Sequence, residues 1–331
     1  MKKIIGLDIS KNLQFMTMLS IVAGLLLLIS CTSYASCITY MLPPEYLNNG
    51  NQVYFRFDNH STLQKPLPEN IRYIEQYNII ASGQFSVQQF KNAIGSKDII
   101  DVDLRGEYHG FNDLNPVSFV NVPYDDVNAN KSQEKIIVQE QHIFGSILPT
   151  YKQLSIYVNS LKIHKDRAGC LSLVAPTKKD PTICTPIATK TEADVMASLN
   201  IDYYRITEVD QRAPSNDNLD KIVALFDQKL KLNPNRWVYL HCLAGEGRTT
   251  TATAELVMLK QQEAGKLQPF DDLIAYVESV SNGYKLVPNC KPSESNCCPW
   301  TWEHYNILKR FYNFVQTRTN NQTFSDWSTQ K

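Results

Sequence analysis

The sequence lacks the features that mark several classes of protein. Its 33 basic and 33 acidic residues cancel, so no overall attraction to nucleic acid or to an anionic membrane is expected. It contains no Gly-Lys-Ser/Thr ending to a glycine-rich stretch, no His-Glu-x-x-His and no Gly-x-Ser-x-Gly. These absences exclude a Walker A nucleotide loop, a zincin-type metal site and an α/β-hydrolase elbow. With 43% hydrophobic and 20% charged residues, 13 Gly and 16 Pro, the chain is neither disordered nor collagen-like.

The N-terminus has the order of segments found in a secretory signal. Lys2, Lys3 and Lys11 precede an apolar run over residues 15–29, and small residues follow around Ala35. Because Thr17 and Ser20 break that run, it is too short for a membrane-spanning helix, which needs about 20 apolar residues. We predict a signal peptide over residues 1–35 and an exported mature chain.

A lipoprotein signal is the alternative for the same segment. Residues 28–31 resemble a lipoprotein cleavage box, in which Cys31 would carry lipid and tether the protein to a bacterial membrane. The two alternatives share export and differ in whether the protein is released.

Cysteine usage agrees with an oxidising compartment. Cleavage at Ala35 would leave seven of the eight cysteines, an odd number, so one thiol is expected to be free. The motif described below makes Cys242 that thiol. The sequence leaves the pairing of the other six open, although Cys170 and Cys184 bracket a short segment and are predicted to form a local disulfide; the six are Cys37, Cys170, Cys184, Cys290, Cys297 and Cys298. A zinc site at the last three is not favoured, because adjacent cysteines lack the usual spacer and no His pair follows.

Hydrophobic periodicity predicts one α/β domain over residues 36–331, with an insertion at about 163–190. Strands are predicted at 53–57, 79–80, 99–104, 171–174, 203–206 and 237–240. Helices are predicted at 86–94, 135–144, 150–162, 192–199, 219–232, 249–263 and 302–315, with a frayed tail from Gln316. A mostly parallel central sheet flanked by helices follows from this alternation.

The segment with the clearest chemistry lies where the strand at 237–240 passes into a helix. It reads His241-Cys242-Leu243-Ala244-Gly245-Glu246-Gly247-Arg248-Thr249-Thr250. A loop of this length can wrap a phosphoryl group with its backbone N–H groups, and the glycines at 245 and 247 permit the tight path. The same donors would stabilise a thiolate at Cys242. Arg248 can bind two phosphoryl oxygens, and Thr249 can donate a hydrogen bond to the sulfur.

This segment resembles the signature of the cysteine-dependent protein tyrosine phosphatase superfamily, His-Cys-x5-Arg-Ser/Thr. The resemblance implies a phosphatase-like fold, a Cys242 nucleophile and a phosphocysteine intermediate, with no metal or organic cofactor. It also implies a general acid on an upstream loop, which matches Asp210, at 242 − 210 = 32 positions before the nucleophile. Glu208 and Asp217 are the alternative acids.

Further strings narrow the resemblance to the bacterial PTP-like phytases, which dephosphorylate inositol hexakisphosphate. They are Ala81-Ser82-Gly83-Gln84-Phe85-Ser86, residues 103–111, residues 115–118 and the Gly-Arg-Thr-Thr-Thr ending of the loop. The resemblance implies a small polyphosphorylated substrate and no nucleic-acid partner. The chain departs from the pattern at Gln211, where many such phytases have His, and at Glu246, which places a carboxylate on the loop rim.

A polyphosphorylated substrate requires a local group of cations, since the total charge is neutral. The candidate substrate-binding residues are Arg105, His109, Arg56, Arg212 and Lys309, and Arg205 and Arg310 are further candidates. Arg105 and His109 rank first because they lie in the strand-to-loop segment that matches the phytases.

Four other functions remain in view. A secreted tyrosine or dual-specificity phosphatase or a phosphoinositide phosphatase would use the same loop. A module that binds phosphate without turnover would not need Asp210, and neither would a rhodanese-like sulfur transferase.

Overall fold

The structure is a computed structural model that describes residues 53–59, 62–121, 128–157, 162–165, 170–174, 182–295 and 297–330. The predicted signal peptide, with Cys31, and Cys37 lie outside the described residues. Thirteen strands run within the described ranges: β1 Val53–Phe57, β2 Arg72–Ile74, β3 Ile79–Ser82, β4 Ile99–Arg105, β5 His109–Asn112, β6 Asn115–Asn121, β7 Gln153–Tyr157, β8 Lys162–Lys165, β9 Leu171–Val174, β10 Thr182–Pro186, β11 Thr189–Lys190, β12 Asp202–Glu208 and β13 Trp237–His241.

Eight α-helices lie in the same described ranges: α1 Val87–Ile94, α2 Gln133–His142, α3 Glu192–Ser198, α4 Asn216–Leu225, α5 Gly247–Glu263, α6 Phe270–Ser279, α7 Pro299–Thr317 and α8 Phe324–Thr329. Short π-helical turns at Ile143–Ile147 and Phe226–Leu230 extend α2 and α4. Gly265, at φ +63°, follows the end of α5 in the left-handed region, a common way for a helix to end.

The central sheet has the order β12-β4-β13-β3-β2. Its first four strands are parallel and only β2 is antiparallel. This confirms the predicted mostly parallel sheet with helices on its faces.

Alternation along β13 decides which side chains meet each layer. Val238 and Leu240 enter the apolar cluster formed with helices α4 to α8, whereas Tyr239 enters the cluster formed with α1 and α3. His241 lies on the same face as Tyr239, with its ring centroid 4.9 Å from that of Phe85. Cys242 therefore follows the strand toward the α5 side, while His241 is buried against α1 and α3.

A second sheet, with the order β10-β7-β1-β6-β5-β11, was not predicted. The predicted helix at 150–162 is wrong, because β7 lies inside this sheet between β1 and β10. Leu154 and Ile156 are fully buried while Gln153 is exposed, which is the period of two of a strand. The segment predicted as an insertion supplies both edge strands, β10 and β11, and the hairpin of β8 with β9.

The C-terminal tail is ordered and helical, so the predicted fraying from Gln316 is wrong. Helix α7 continues to Thr317, and α8 follows it. Phe324 and Trp327 are buried against Phe314, with ring centroids 5.5 and 5.9 Å away. Burial of two large aromatic rings explains why this polar stretch folds back onto the core.

The predicted Cys170–Cys184 disulfide is also wrong. Cys170 is bonded to Cys298, with a Cα–Cα distance of 4.6 Å. A local pair does not form because Cys170 precedes β9 in the small hairpin, whereas Cys184 lies in β10 of the six-stranded sheet. Cys290 is bonded to Cys297, and Cys242 is free. Within the described ranges, no helix is long and apolar enough to cross a membrane.

Candidate active site

The loop between β13 and α5 curls around a central space, with its carbonyl groups held on the outside. The Leu243 carbonyl accepts from the Gln84 N–H (2.9 Å) and from the Asn59 side chain (3.1 Å). The Ala244 carbonyl accepts from Asn70 (2.9 Å) and the Gly245 carbonyl from Arg72 (2.7 Å). Because each peptide unit is planar and trans, the N–H groups of the next residues are turned to the opposite, inner side. The loop is therefore built as a cradle for an anion.

Four of the residues that hold the cradle from outside were missed by sequence reasoning: Asn59, Asn70, Arg72 and Gln84. Arg72 is 6% exposed, and it also donates to Thr250 Oγ1 at 3.1 Å. Burial lowers the pKa of Arg72 to about 10, an effect that the nearby Cys242 opposes. Asn59 and Asn70 have φ angles of +47° and +53°. Asparagine tolerates this left-handed backbone, but no motif in the sequence marks either position.

Gly245 is required by the path of the cradle. Its φ is +74°, and a Cβ built there would lie 2.3 Å from the Gly83 nitrogen and from the Ser82 carbonyl carbon. Gly247 is different, because a Cβ there would meet only the Tyr284 side chain, with 3.2 Å to its hydroxyl oxygen. The path of the cradle therefore requires glycine at position 245 and not at position 247.

Gly245→Ala is expected to lower both stability and phosphate binding, because a methyl group would push the cradle away from β3. The left-handed φ costs about 1–2 kcal/mol for a non-glycine residue, and overpacking adds about 1–3 kcal/mol. The matched control is Gly265→Ala, where φ is +63° but nothing lies within 4 Å. Thermal unfolding should show a larger loss at 245 than at 265; equal losses would contradict the close approach to β3.

Cys242 lies at the bottom of the cradle and is 3% exposed. Its Sγ accepts a hydrogen bond from the Gly245 N–H at 3.3 Å. Thr249 Oγ1 is buried and has no hydrogen-bond partner among the described residues, so the predicted bond to the sulfur is not made in this arrangement. Since that bond would assist departure of the thiolate from a phosphocysteine, the role of Thr249 stays a prediction.

Arg248 is fixed in front of the cradle by a buried carboxylate. Nη1 and Nη2 donate to the two oxygens of Glu107 at 2.7 and 3.2 Å, and Nη1 also approaches the Glu208 carbonyl at 3.3 Å. Although burial would lower the pKa of Arg248, Glu107 and Asp210 hold it well above its usual range. Its Nε is buried without a partner among the described residues, which leaves one donor for a phosphoryl oxygen.

Asp210 reaches the same guanidinium from the loop after β12. Its Oδ1 lies 2.9 Å from Arg248 Nη2, and a quarter of its side chain is exposed. Burial raises the pKa of Asp210, while Arg248 opposes that rise. The two alternative acids are placed less well, because Glu208 is 2% exposed and Asp217 forms an exposed pair with Lys221.

Three of the predicted substrate cations are buried ion-pair partners instead. Arg105 is fully buried, with Nη1 2.8 Å from Asp58 and Nε 2.7 Å from Glu107. His109 is fully buried, with Nε2 3.1 Å from Asp103. Burial would lower the pKa of His109, but Asp103 reverses this and raises it to about 10. Arg56 is 5% exposed and lies 3.5 Å from Asp58.

The prediction that these three residues contact the substrate is therefore corrected. Their side chains are buried, and their charges are already neutralised inside the protein. Arg205 is buried in the same way, between Asp103 and Glu140. A sequence pattern does not distinguish such cations from exposed ones, because burial is set by tertiary packing. Asp58 lies only two residues from Arg56, whereas it is far along the chain from Arg105.

The other predicted cations are exposed. Arg212 forms an ion pair with Glu303 at 3.0 Å, and its guanidinium lies over the Trp300 ring. Lys309 and Arg310 are exposed residues of α7, and Arg310 lies over the Phe324 ring. A groove of about 480 Å³ lies beside Asp210 and is lined by Lys131, Val209 and Arg212, among others.

A larger cavity, of about 520 Å³, holds none of the predicted site residues. It is lined by Asn78, Pro234 and the end of α5 at Lys260 and Gln261. These residues lie at the opposite end of the parallel strands from the cradle, so this cavity is not the candidate site.

Two glutamates behind Arg248 are buried without hydrogen-bond partners. Glu208 is 2% and Glu255 0% exposed, and none of their four carboxyl oxygens has a partner in the described part of the chain. Burial raises the pKa of Glu208 to about 8, although the nearby Arg248 opposes this shift. Burial, together with the charge of the nearby Glu208, raises the pKa of Glu255 well above its usual range. Both carboxyls are therefore protonated at neutral pH.

Glu208→Gln is expected to stabilise the protein more at pH 8 than at pH 5. The folded state holds the Glu208 proton up to about pH 8, whereas the unfolded chain releases it near pH 4.3. Wild-type stability thus falls as pH rises through this window, by up to about 1.4 kcal/mol per pH unit. Melting temperatures at both pH values check this, with the exposed Glu263→Gln as baseline. An advantage that does not grow with pH would contradict it.

Known proteins resemble this chain in sequence and in fold. The sequence model of the PTP-like phytase family matches residues 102–260. The description of this family names inositol hexakisphosphate. That range contains Asp210, Cys242 and Arg248. A PTP-like phytase from Bdellovibrio bacteriovorus superposes with a TM-score of 0.64 at 22% identity, covering 88% of this chain and 100% of that one. The chain has the fold of the PTP-like phytases. The resemblance stated from the sequence is confirmed.

Two other proteins that the chain resembles are longer than the chain. The PTP-like myo-inositol phosphatase of Mitsuokella multacida, solved with myo-inositol-(1,3,4,5)-tetrakisphosphate, gives a TM-score of 0.68 at 22% identity over 86% of this chain and 48% of that one. The effector protein hopD2 of Pseudomonas syringae pv. tomato is 25% identical over 253 residues, which are 75% of this chain and 50% of hopD2. The chain spans about half the length of these two proteins.

Proposed function

We propose that the chain is a cysteine-dependent phosphatase that hydrolyses inositol polyphosphates such as phytate. The observation that carries the proposal is the meeting of three groups at one cradle: Cys242 at its bottom, and Arg248 and Asp210 2.9 Å apart at its mouth. Nucleophile, charge-stabilising cation and general acid are the parts that phosphoryl transfer requires. The match to the phytase family supports the substrate class.

In the first step, the Cys242 thiolate attacks phosphorus in line with the leaving oxygen. The S–P bond forms as the P–O bond breaks, and Asp210 gives its proton to the departing alkoxide. The N–H groups of the cradle and Arg248 bind the equatorial oxygens, on which negative charge is concentrated. The phosphate would replace Asp210 as the partner of Arg248 Nη2.

In the second step, water attacks the phosphocysteine from the side that the alcohol has left. The Asp210 carboxylate takes a proton from this water, the S–P bond breaks, and the electron pair returns to the sulfur. Inorganic phosphate departs, and the protonated Asp210 and the thiolate are restored for the next cycle.

The groove beside Asp210 has room for a larger substrate, but its charged lining is balanced, because Lys131 and Arg212 are accompanied by Glu134 and Asp217. A substrate with more than one phosphate is therefore supported by the match to the phytase family and not by the charge of this groove. Lys309 stays a candidate from the sequence. We assign Arg105, His109 and Arg56 to the support of the site, because their side chains are buried.

Phosphate release from inositol hexakisphosphate, compared with a phosphotyrosine peptide and a phosphoinositide, tests this proposal. We expect the highest kcat/KM with the hexakisphosphate. Preference for the peptide would favour the tyrosine-phosphatase alternative, and phosphate binding without release from any substrate would leave only a binding module.

Asp210→Asn is expected to lower kcat for inositol phosphates by about 100- to 10,000-fold, because the alkoxide would leave unprotonated. The raised pKa of Asp210 keeps the acid protonated over a wider pH range. The deficit should therefore be largest at acidic pH and shrink as pH rises and wild-type Asp210 ionises. Initial rates across pH 4–8 measure this.

Two comparisons make the Asp210 test specific. An aryl phosphate with a good leaving group should lose far less activity in Asp210→Asn, since it needs no proton. Asp217→Asn tests the exposed alternative acid. A large loss of activity in Asp217→Asn, with none in Asp210→Asn, would assign the role of general acid to Asp217.

We also propose export, as the signal-like N-terminus predicts. Disulfides between Cys170 and Cys298 and between Cys290 and Cys297 support an oxidising compartment. Fractionation of producing cells, with mass spectrometry of the mature N-terminus, would distinguish release from a lipid anchor at Cys31.

A further inference from the structure

A fully buried polar cluster lies behind the cradle, between β4, β13 and α3. We call it the Glu192 cluster, and its members are Gln84, Asp101, His109, Glu192 and His241. Glu192 is the first residue of α3, Asp101 lies within β4, and His241 is the last residue of β13. The proposed mechanism uses none of these five side chains.

Glu192 is the centre of the cluster. One carboxylate oxygen, Oε1, lies 2.8 Å from His241 Nε2. The other, Oε2, accepts a hydrogen bond from the Gln84 amide at 2.9 Å and lies 3.3 Å from His109 Nε2. Asp101 completes the group, with Oδ1 3.6 Å from His241 Nε2.

The charge states follow from these neighbours. Burial would raise the pKa of Glu192, but His241 and His109 hold it below its usual range. Glu192 also lies in the first turn of α3, where the free N–H groups favour a carboxylate. Burial and Glu192 raise the pKa of Asp101 well above its usual range, which favours its neutral form. Glu192 is thus a buried carboxylate that accepts a hydrogen bond from Gln84 and lies at ion-pair distance from His241 and His109. The ring nitrogens of the two histidines that face Glu192 form no hydrogen bond with it among the described residues.

Two paths lead from Glu192 to the catalytic groups. The first is short, because His241 directly precedes Cys242 in the chain. The second runs from Gln84 Oε1 to Arg105 Nη1 (2.9 Å), from Arg105 Nε to Glu107 (2.7 Å) and from Glu107 to Arg248 (2.7 Å). The Gln84 backbone N–H also holds the Leu243 carbonyl of the cradle.

We propose that Glu192 and Gln84 are positioning residues that fix the nucleophile and Arg248 relative to each other. The inference rests on the proposed phosphatase function. Glu192 holds His241, and so the start of the cradle, while Gln84 ties the same carboxylate to the Arg105–Glu107–Arg248 chain. Neither residue touches substrate. Their contribution lies in geometry, to which phosphoryl transfer is sensitive, since a displacement of about 1 Å can lower a rate about 100-fold.

A divalent cation is the other occupant that this cluster could hold, since ligand atoms of Asp101, Glu192 and His241 lie within 4.8 Å of one another. One observation favours the positioning role, because Gln84 already donates a hydrogen bond to Glu192 Oε2.

The test uses the full mature chain and two alkylating reagents. Iodoacetate is an anion that the cradle and Arg248 should attract, whereas iodoacetamide is neutral. The ratio of the two rates of Cys242 alkylation therefore reports the arrangement of the cradle without depending on any phosphorylated substrate. Gln84→Met is the main variant, because it cuts the link between Glu192 and Arg105 without removing a charge. Glu192→Gln is the second variant.

The matched control is Gln89→Met. Gln89 is also a buried glutamine, but it hydrogen-bonds to carbonyls of the preceding loop and caps α1, outside the cluster. We expect Gln84→Met and Glu192→Gln to lower the iodoacetate preference and to lower kcat about tenfold at nearly unchanged KM. Gln89→Met should lower only the melting temperature.

The outcomes separate the two proposals. Wild-type protein with no iodoacetate preference and no phosphatase activity would remove the proposed function. Wild-type preference that Gln84→Met leaves unchanged, with kcat intact, would overturn the positioning roles alone. Stoichiometric metal in the purified protein, found by elemental analysis and lost in Glu192→Gln, would overturn the positioning role in favour of a metal site.

Discussion

Cys242→Ser is expected to lower kcat for phosphate release by at least about 10⁴-fold, the scale of loss seen when a covalent nucleophile is removed. The Cys242 sulfur lies at the bottom of the cradle and accepts the Gly245 N–H at 3.3 Å. A serine hydroxyl at this position stays protonated and has no adjacent base to activate it. The change replaces one buried atom by a smaller one, so the fold should survive. Single-turnover phosphate release measures the effect.

Binding provides the control for Cys242→Ser. The cradle carbonyls are held from outside by Asn70 and Arg72, so the loop has supports besides the Gly245 N–H bond to the sulfur, which a serine oxygen can also accept. Calorimetry should show that the variant still binds inorganic phosphate, with a melting temperature near that of wild type. Full activity in this variant would refute the covalent mechanism. Loss of both activity and binding would show that the serine had disturbed the cradle.

Local sequence signals were enough to predict the loop of the cradle between a strand and a helix, but not the residues that hold it from outside. The string from His241 to Thr249 is contiguous, so its order along the chain carries its geometry once a strand precedes it and a helix follows. The parallel sheet was predictable for the same reason, since β4, β12 and β13 are short strand-like segments that alternate with helices.

The predictions that failed depend on tertiary packing. Arg105 and His109 were predicted to bind phosphate, but both are buried, where Asp58 and Asp103 neutralise them. The segment 150–162, which contains β7, was predicted as a helix. Its pairing with β1 and β10 makes it a strand. Cys170 finds Cys298 at a sequence separation of 128. Each outcome is set by tertiary packing, which a single sequence does not display.

Arg248→Lys is expected to lower kcat by about 10³- to 10⁵-fold, the range associated with an arginine that stabilises phosphoryl transfer. Arg248 binds both oxygens of Glu107 and the carboxylate of Asp210 with its two terminal nitrogens, and its buried Nε lacks a partner among the described residues. The planar guanidinium can therefore be held by protein on one edge while it binds two phosphoryl oxygens on another. A lysine keeps the positive charge but offers a single nitrogen.

Retention of the charge makes Arg248→Lys a test of geometry. The matched control is Arg236→Lys, because Arg236 is also partly buried and paired, with Asp98 and Asp202, at the far end of the sheet. We expect Arg236→Lys to keep the wild-type kcat, whereas Arg248→Lys should show a large fall in kcat and a smaller rise in KM. The effect on kcat is larger because contact at two points matters most when charge is spread over the phosphoryl group in the transition state. If Arg248→Lys retained most of its activity, charge alone would suffice, and the fixed pairing with Glu107 would serve stability instead of catalysis.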